Sequence, residues 1–204
     1  PNTTAKEGQA GSVLLYPYFN NNPDYLTIIR ITNVSSETVT VRLVHIDEVE
    51  CSPEDQWITL TGGDNFTFEG SWMNADLGQG FMYAHVVESS GPPQNVLVGN
   101  EMVIGPWTDT QVMSLSINAL PIEAINVVPD NKIHMDGVEY EVAPKSVYFP
   151  GFFAQDFPSP NHPFVNSRVI FINLTGGKYF RHHAKVLLYN DNERPSSATR
   201  EFGC

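Results

Sequence analysis

The chain has 204 residues, of which 41% are hydrophobic and only 17% charged, and its 23 acidic side chains outnumber 11 basic ones for a net charge of −12. That balance speaks against a nucleic-acid partner, which needs a basic footprint to displace counterions, and no apolar run reaches the ~20 residues of a helical membrane span. Fifteen glycines, fifteen prolines and a surface rich in Asn, Ser and Thr suit an extracellular β protein better than a helical enzyme.

The N-terminal stretch "PNTTAKEGQAGS" has neither Met nor a signal-like apolar region, so a secreted protein whose signal peptide has been removed is the expectation. "SVLLYPY" then reads as a strand and "NNNPD" as the break after it. In "YLTIIRITN" (25–33), Leu26 and Ile28 fall on one parity and Ile29 and Ile31 on the other. In "TVTVRLVHI" (38–46), Val39, Val41, Leu43 and His45 share one face, with Thr38, Thr40 and Arg42 opposite, which is the period of two of a half-buried strand. "QWITLTGGDNFTFEG" predicts two short strands around a Gly-Gly turn. "GFMYAHVVE" (80–88), "NVLVGNEMVI" (95–104) and "TQVMSLSI" (110–117) continue the series, and strands at this spacing suggest a sandwich or barrel.

Within 118–145 the sequence predicts a hairpin, "KIHM" then "VEYEVA", through Asp136-Gly137, and a brief helical turn near Pro121–Ile125. Beyond it the opening plan recurs. "SVYFPGFF" (146–153) echoes "SVLLYPYF" (12–19), "RVIFINLT" echoes "LTIIRITNVS", and "HAKVLLYNDNE" echoes "VTVRLVHIDE", each series ending at a cysteine. Ser12/Ser146, Val13/Val147 and Asn33/Asn173 anchor the match. The fold expected is therefore all-β, with two tandem, duplicated β-sandwich (Ig-like or jelly-roll-like) domains. These are a first sandwich over 1–117, a connecting segment with a hairpin over 118–145, and a second, incomplete sandwich over 146–204. The second copy would leave Val147, Val169, Phe171, Val186 and Leu188 on an uncovered face, inviting cover by strands from a neighbouring subunit or by residues absent from this chain. The basic cluster Lys178, Arg181, His182, His183 and Lys185 reads as a solvated strand edge. The two cysteines, Cys51 and Cys204, fit no metal or redox spacing. Equivalent positions in separate domains imply that they do not bond to each other.

"GSVLLYPYF" (11–19), "IRITNVS" (29–35), "GFMYAHVVE" (80–88), "VLVGNEMVI" (96–104) and "LLYNDNE" (187–193) resemble the ordered strand motifs of a loose family of uncharacterised secreted bacterial tandem β-sandwich proteins. The resemblance implies secretion, a β architecture and a chain that continues past the second cysteine, and it carries no reaction with it.

Two H-x-D triplets, His45-Ile46-Asp47 and His134-Met135-Asp136, each offer a nitrogen and a carboxylate on one strand face, short of the three or four ligands a metal needs. The acidic run Asp47, Glu48, Glu50, Glu54 and Asp55 lacks the glycine-punctuated spacing of a calcium loop. There is no G-x-S-x-G elbow or H-E-x-x-H helix. Glu88, Glu101, Glu139 and Glu141 are the carboxylates from which a glycoside-hydrolase pair would be drawn. No catalytic residue, metal or cofactor is assigned. The candidate contact surface is the aromatic, proline-rich segment 148–164, with Phe149, Phe152, Phe153, Phe157 and Phe164. Sequons stand at Asn2, Asn33, Asn65 and Asn173. The leading expectation is a secreted, non-catalytic structural or surface protein acting through protein–protein contacts. It would associate with itself or with another surface protein, as a filament or surface-layer subunit. The alternatives are a carbohydrate-binding or adhesive module, with a glycan as ligand, and a glycoside hydrolase.

Overall fold

The protein is an all-β sandwich. The computed structural model describes residues 8–73, 78–87, 94–108, 111–126, 132–142, 169–174, 181–189 and 195–202. Nine strands build the body: β1 (Val13–Asn20), β2 (Leu26–Asn33), β3 (Val39–Asp47), β4 (Pro53–Leu60), β5 (Asn65–Glu69), β6 (Gln79–Val86), β7 (Leu97–Thr108), β8 (Gln111–Asn118) and β9 (Leu120–Ile122). One sheet has the order β4-β3-β6-β1-β9 and the other β5-β2-β7-β8, with every pairing antiparallel.

The core follows from the alternation in each strand. Leu14 and Tyr16 of β1, Val39, Val41 and Leu43 of β3, and Met82, Ala84 and Val86 of β6 point inward from the first sheet. Ile29 and Ile31 of β2, Phe68 of β5 and Leu97 of β7 meet them from the second. Tyr16 spans this core, and its hydroxyl donates to the Arg30 carbonyl across the sandwich at 2.9 Å. Gly99 makes room for it, since a Cβ there would lie 2.1 Å from the Tyr16 oxygen and 2.6 Å from the Arg30 carbonyl oxygen.

The strands expected on either side of Gly62-Gly63 both form, but the turn is not a hairpin. β4 belongs to the first sheet and β5 to the second, so the two glycines carry the chain across the sandwich edge. Gly63 has φ +74°, and a Cβ on Gly62 would come within 2.4 Å of the Ser36 carbonyl oxygen. The helical turn expected near Pro121 is also corrected: Leu120–Ile122 is β9, paired with Leu15–Val13 of β1.

The segment after β9 lies over the outward face of the first sheet. Val13 of β1 packs with Ala124 and Tyr140, joined by Tyr83, Ile122, Ile133 and Met135. Asn95 fixes the entry, its amide nitrogen donating to the Ala124 carbonyl at 3.0 Å and its oxygen accepting the Ala124 N–H at 2.8 Å. The Asp136-Gly137 turn forms as expected, with Gly137 at φ +81°. The strands of the expected hairpin do not form, because Tyr140 bridges to Ala124 and residues 132–135 serve the apolar layer instead.

Two strands belong to neither sheet of the sandwich. β10 (His182–Tyr189) and β11 (Pro195–Phe202) form a two-stranded sheet of their own. Phe171 stacks on Phe202 with centroids 5.6 Å apart. "RVIFINLT", the expected counterpart of β2, forms no strand over the described residues 169–174, and "SVYFPGFF" lies outside the described residues. β10 bonds to β11, a strand with no counterpart between β3 and Cys51, so the likeness of 12–51 to 146–204 does not extend to these strands. The expectation for the cysteines is corrected as well. Cys51 is disulfide-bonded, and the chain's one other cysteine is Cys204, which lies outside the described residues. The expectation rested on placing the two cysteines in equivalent, separate domains.

Candidate contact surface

Side chains with catalytic chemistry are dispersed, and several are walled into the core. His45 is fully buried between Phe19, at 5.0 Å between ring centroids, and Phe68, at 6.5 Å. Neither ring nitrogen has a hydrogen-bond partner, and burial pushes its pKa down to about 4. Asp47 plays a different part. Its Oδ1 accepts the backbone N–H groups of Val49 and Glu50 at 2.8 and 2.7 Å, shaping the turn into β4. Asp136 does the same for Val138 and Glu139 at 2.8 and 3.0 Å, and those two bonds hold its carboxyl below the usual range. Both H-x-D triplets therefore contain a turn-forming Asp rather than a ligand pair, while His134 Nδ1 lies 3.0 Å from Glu139 Oε2. Among the described residues no three His, Cys, Asp or Glu side chains converge as a metal site would need.

Of the carboxylates proposed for a hydrolase pair, Glu101 is not brought together with Glu139 and Glu141. Glu101 faces the sandwich interior, where Oε1 accepts the Tyr18 N–H at 3.2 Å beside the bulge in β1 and Oε2 has no partner. Burial raises its pKa to about 8, with the Tyr18 bond pulling the other way, so it is protonated at neutral pH. Glu139 and Glu141 sit in the layer over the outer face of the first sheet, and Glu88 lies outside the described residues.

The sequons separate by burial. Asn33 is fully buried, and its amide nitrogen donates to the carbonyls of Glu37, Leu60 and Thr61 while its oxygen accepts from Ser35 N–H and Oγ. It ties the two sheets at the crossover, and its side chain is closed off from solvent. Asn173 is likewise buried. Asn65 is exposed on β5, with Thr67 Oγ1 donating to its side-chain oxygen at 3.2 Å, and Asn2 lies outside the described residues.

Phe149, Phe152, Phe153, Phe157 and Phe164, the aromatic candidates for contact, also lie outside the described residues. The structure offers other exposed groups that the sequence reading passed over. Trp57 on β4 is 55% exposed and lies beneath the Arg42 guanidinium at 5.8 Å, with Arg42 bonded to Asp55 at 2.9 Å. Trp72, 47% exposed, packs edgewise on Phe66 at 5.5 Å. The signal that would have found them is position. Both belong to the side of the sandwich where β4 and β5 are the outermost strands, and strand order is not written in a single sequence.

The hairpin is the other open region. Leu187 is 54% exposed and Leu188 is also exposed, as are Val169, Ile170 and Phe171 beside it. Of the basic cluster, His182, His183 and Lys185 are exposed on β10 and Arg181 just before it, with Arg181 bonded to Glu201 at 2.9 Å, while Lys178 lies outside the described residues. On the sandwich itself, β8 closes the second sheet with Val112 and Leu115 exposed.

No protein-family model and no curated protein matches the chain. Among solved structures it is similar to Thermotoga maritima 1070, with 9% identity and a TM-score of 0.45 over 55% of this chain and 95% of that one.

Proposed function

We propose that the protein is a secreted, non-catalytic structural or surface subunit that acts through protein–protein contacts, with self-association in a filament or surface layer as its leading mode. The observation that carries this reading is the β10–β11 hairpin. Among the described residues it is a two-stranded sheet with no further strand on either side, and Leu187, Leu188 and Phe171 are exposed around it. A two-stranded sheet is at best marginally stable in water, and apolar surface left open favours burial against a partner by about 25 cal/mol per Å². The disulfide at Cys51 supports an oxidising, extracellular compartment. The confinement of Glu101 and His45 to the core, away from any solvent cleft, supports the non-catalytic part.

The test is sedimentation velocity of the whole chain over a wide concentration range, beside Leu187→Asp. The expected result is concentration-dependent association that the substitution weakens while the unfolding midpoint of the sandwich is unchanged. Association unaffected by Leu187→Asp would remove the hairpin as the carrier. Two exposed indoles, Trp57 and Trp72, favour a second reading as a carbohydrate-binding or adhesive module. Glycan binding lost on Trp72→Ala would establish that reading.

A further inference from the structure

An open sheet edge invites pairing unless charge, proline or short length blunts it. Three of the four edge strands of the sandwich carry such a device. β4 opens on Pro53, Glu54 and Asp55, β9 is three residues long with Pro121 at its centre, and β5 is five residues long and ends on Glu69. β8 carries none. Its eight residues, Gln-Val-Met-Ser-Leu-Ser-Ile-Asn, include no charge and no proline, and among the described residues it bonds to β7 on one side only. Val112 on this strand is 75% exposed.

The strand is also complementary to itself. Ile117 and Leu115 lie opposite Glu101 and Val103 of β7, both of which are buried in the core. Met113, Leu115 and Ile117 therefore line the inner face, and Val112, Ser114, Ser116 and Asn118 the outer one. An antiparallel copy related by a two-fold axis through Leu115, perpendicular to the sheet, keeps these faces matched. Leu115 then meets its own mate, Met113 meets Ile117, and Ser114 meets Ser116. A one-residue slip would set inward side chains against outward ones.

We infer that β8 is a dimerisation edge whose partner is β8 of a second copy of this chain, joining two four-stranded sheets into one of eight. The basic strand β10 is the poorer occupant, because β8 offers it no counter-charge. The inference rests on the contact reading above and names one surface that serves it.

Ser114 and Ser116 are exposed, so both can be changed without touching the core. In Ser114→Lys/Ser116→Lys, the two-fold sets lysine opposite lysine twice, and the dissociation constant should rise by about tenfold or more. In Ser114→Lys/Ser116→Glu, lysine meets glutamate at the same places and association should be retained. Each variant places two charged side chains at the same exposed sites, so a folding defect would affect both. Sedimentation velocity of the full chain reads the outcome. A wild-type chain that stays monomeric, or two variants that associate equally, would overturn the β8 pairing. Association that survives both pairs but is lost with Leu187→Asp would overturn it while leaving the contact reading in place. Loss with the double lysine, retention with Lys/Glu and no effect of Leu187→Asp would support β8 pairing and remove the hairpin's role.

Discussion

The sandwich and the C-terminal hairpin are both antiparallel β structure with alternating sequences, yet they differ in what their faces meet. Ile29 and Ile31 of β2 are sealed against the opposite sheet, whereas Leu187 and Leu188 of β10 remain open. The ladder of the hairpin is unbroken, with β10 and β11 in register from His182↔Phe202 to Tyr189↔Pro195. Hydrogen bonds exchanged with water contribute only about 1 kcal/mol each, so a ladder alone does not distinguish a stable sheet from a marginal one. A second apolar layer does.

The comparison is broken most severely by filling the core. Gly99→Val should destabilise the sandwich by at least ~3 kcal/mol, because the new Cβ collides with the Tyr16 hydroxyl and with the fixed Arg30 carbonyl, and overpacked cores lose about 1–3 kcal/mol even without a backbone clash. Ile31→Ala, which leaves a cavity at a fully buried site, should cost about 2–5 kcal/mol. Urea unfolding followed by tryptophan fluorescence measures both. Asn33→Ala should cost about 1–3 kcal/mol, because it strands the carbonyls of Glu37, Leu60 and Thr61 at the crossover.

Titration sharpens the contrast, since the buried ionisable groups belong to the sandwich. His45 and His85, both lowered from 6.5 to about 4 chiefly by burial, bind fewer protons folded than unfolded. Their contribution is present above 6.5 and lost as pH falls towards 4. Glu101, raised from 4.5 to about 8, acts the other way. Its contribution is full below 4.5 and lost as pH rises through 8. Each proton is worth at most about 1.4 kcal/mol per pH unit. Two histidines against one carboxyl place the maximum of this balance near pH 6.5, with slopes downward on both sides. Glu101→Gln should flatten the alkaline limb, and His45→Leu should reduce the acid one. A stability curve from these variants identical to that of the wild type would refute the assignment.

Much of the sandwich was legible because its inner faces are written as alternation. Val39, Val41, Leu43 and His45 shared a face in the sequence, and all four are buried. What could not be read was which strand lies beside which. A Gly-Gly turn serves a hairpin or a crossing between sheets equally well, and only the long-range pairing of β4 with β3 and β5 with β2 decides. The burial of Asn33 was illegible for a related reason, since a sequon pattern carries no information about burial. "RVIFINLT" has the composition of a strand but forms none over the described residues 169–174, and strand propensity reflects neighbours more than intrinsic backbone preference. The contact surfaces were the least legible part, because edge position is a property of sheet order.

The smallest effect is expected where the comparison is most direct. Leu188 belongs to the same residue type and the same kind of strand as the buried Leu43, but it is 38% exposed and its cross-strand neighbour is Ser196. Truncation there removes side-chain surface that water already reaches in part, and no closed cavity remains to add its own penalty. Leu188→Ala should therefore shift global unfolding by less than about 0.5 kcal/mol, as surface substitutions usually do. Leu43→Ala should cost about 2–5 kcal/mol. If Leu188→Ala in dilute protein proved as costly as Leu43→Ala, the hairpin would have to be packed within its own chain, and the contrast between closed and open sheets would fail. If its cost were small in dilute protein and grew with concentration, the covering layer would come from another copy, as expected for a sheet that finds its second face by association.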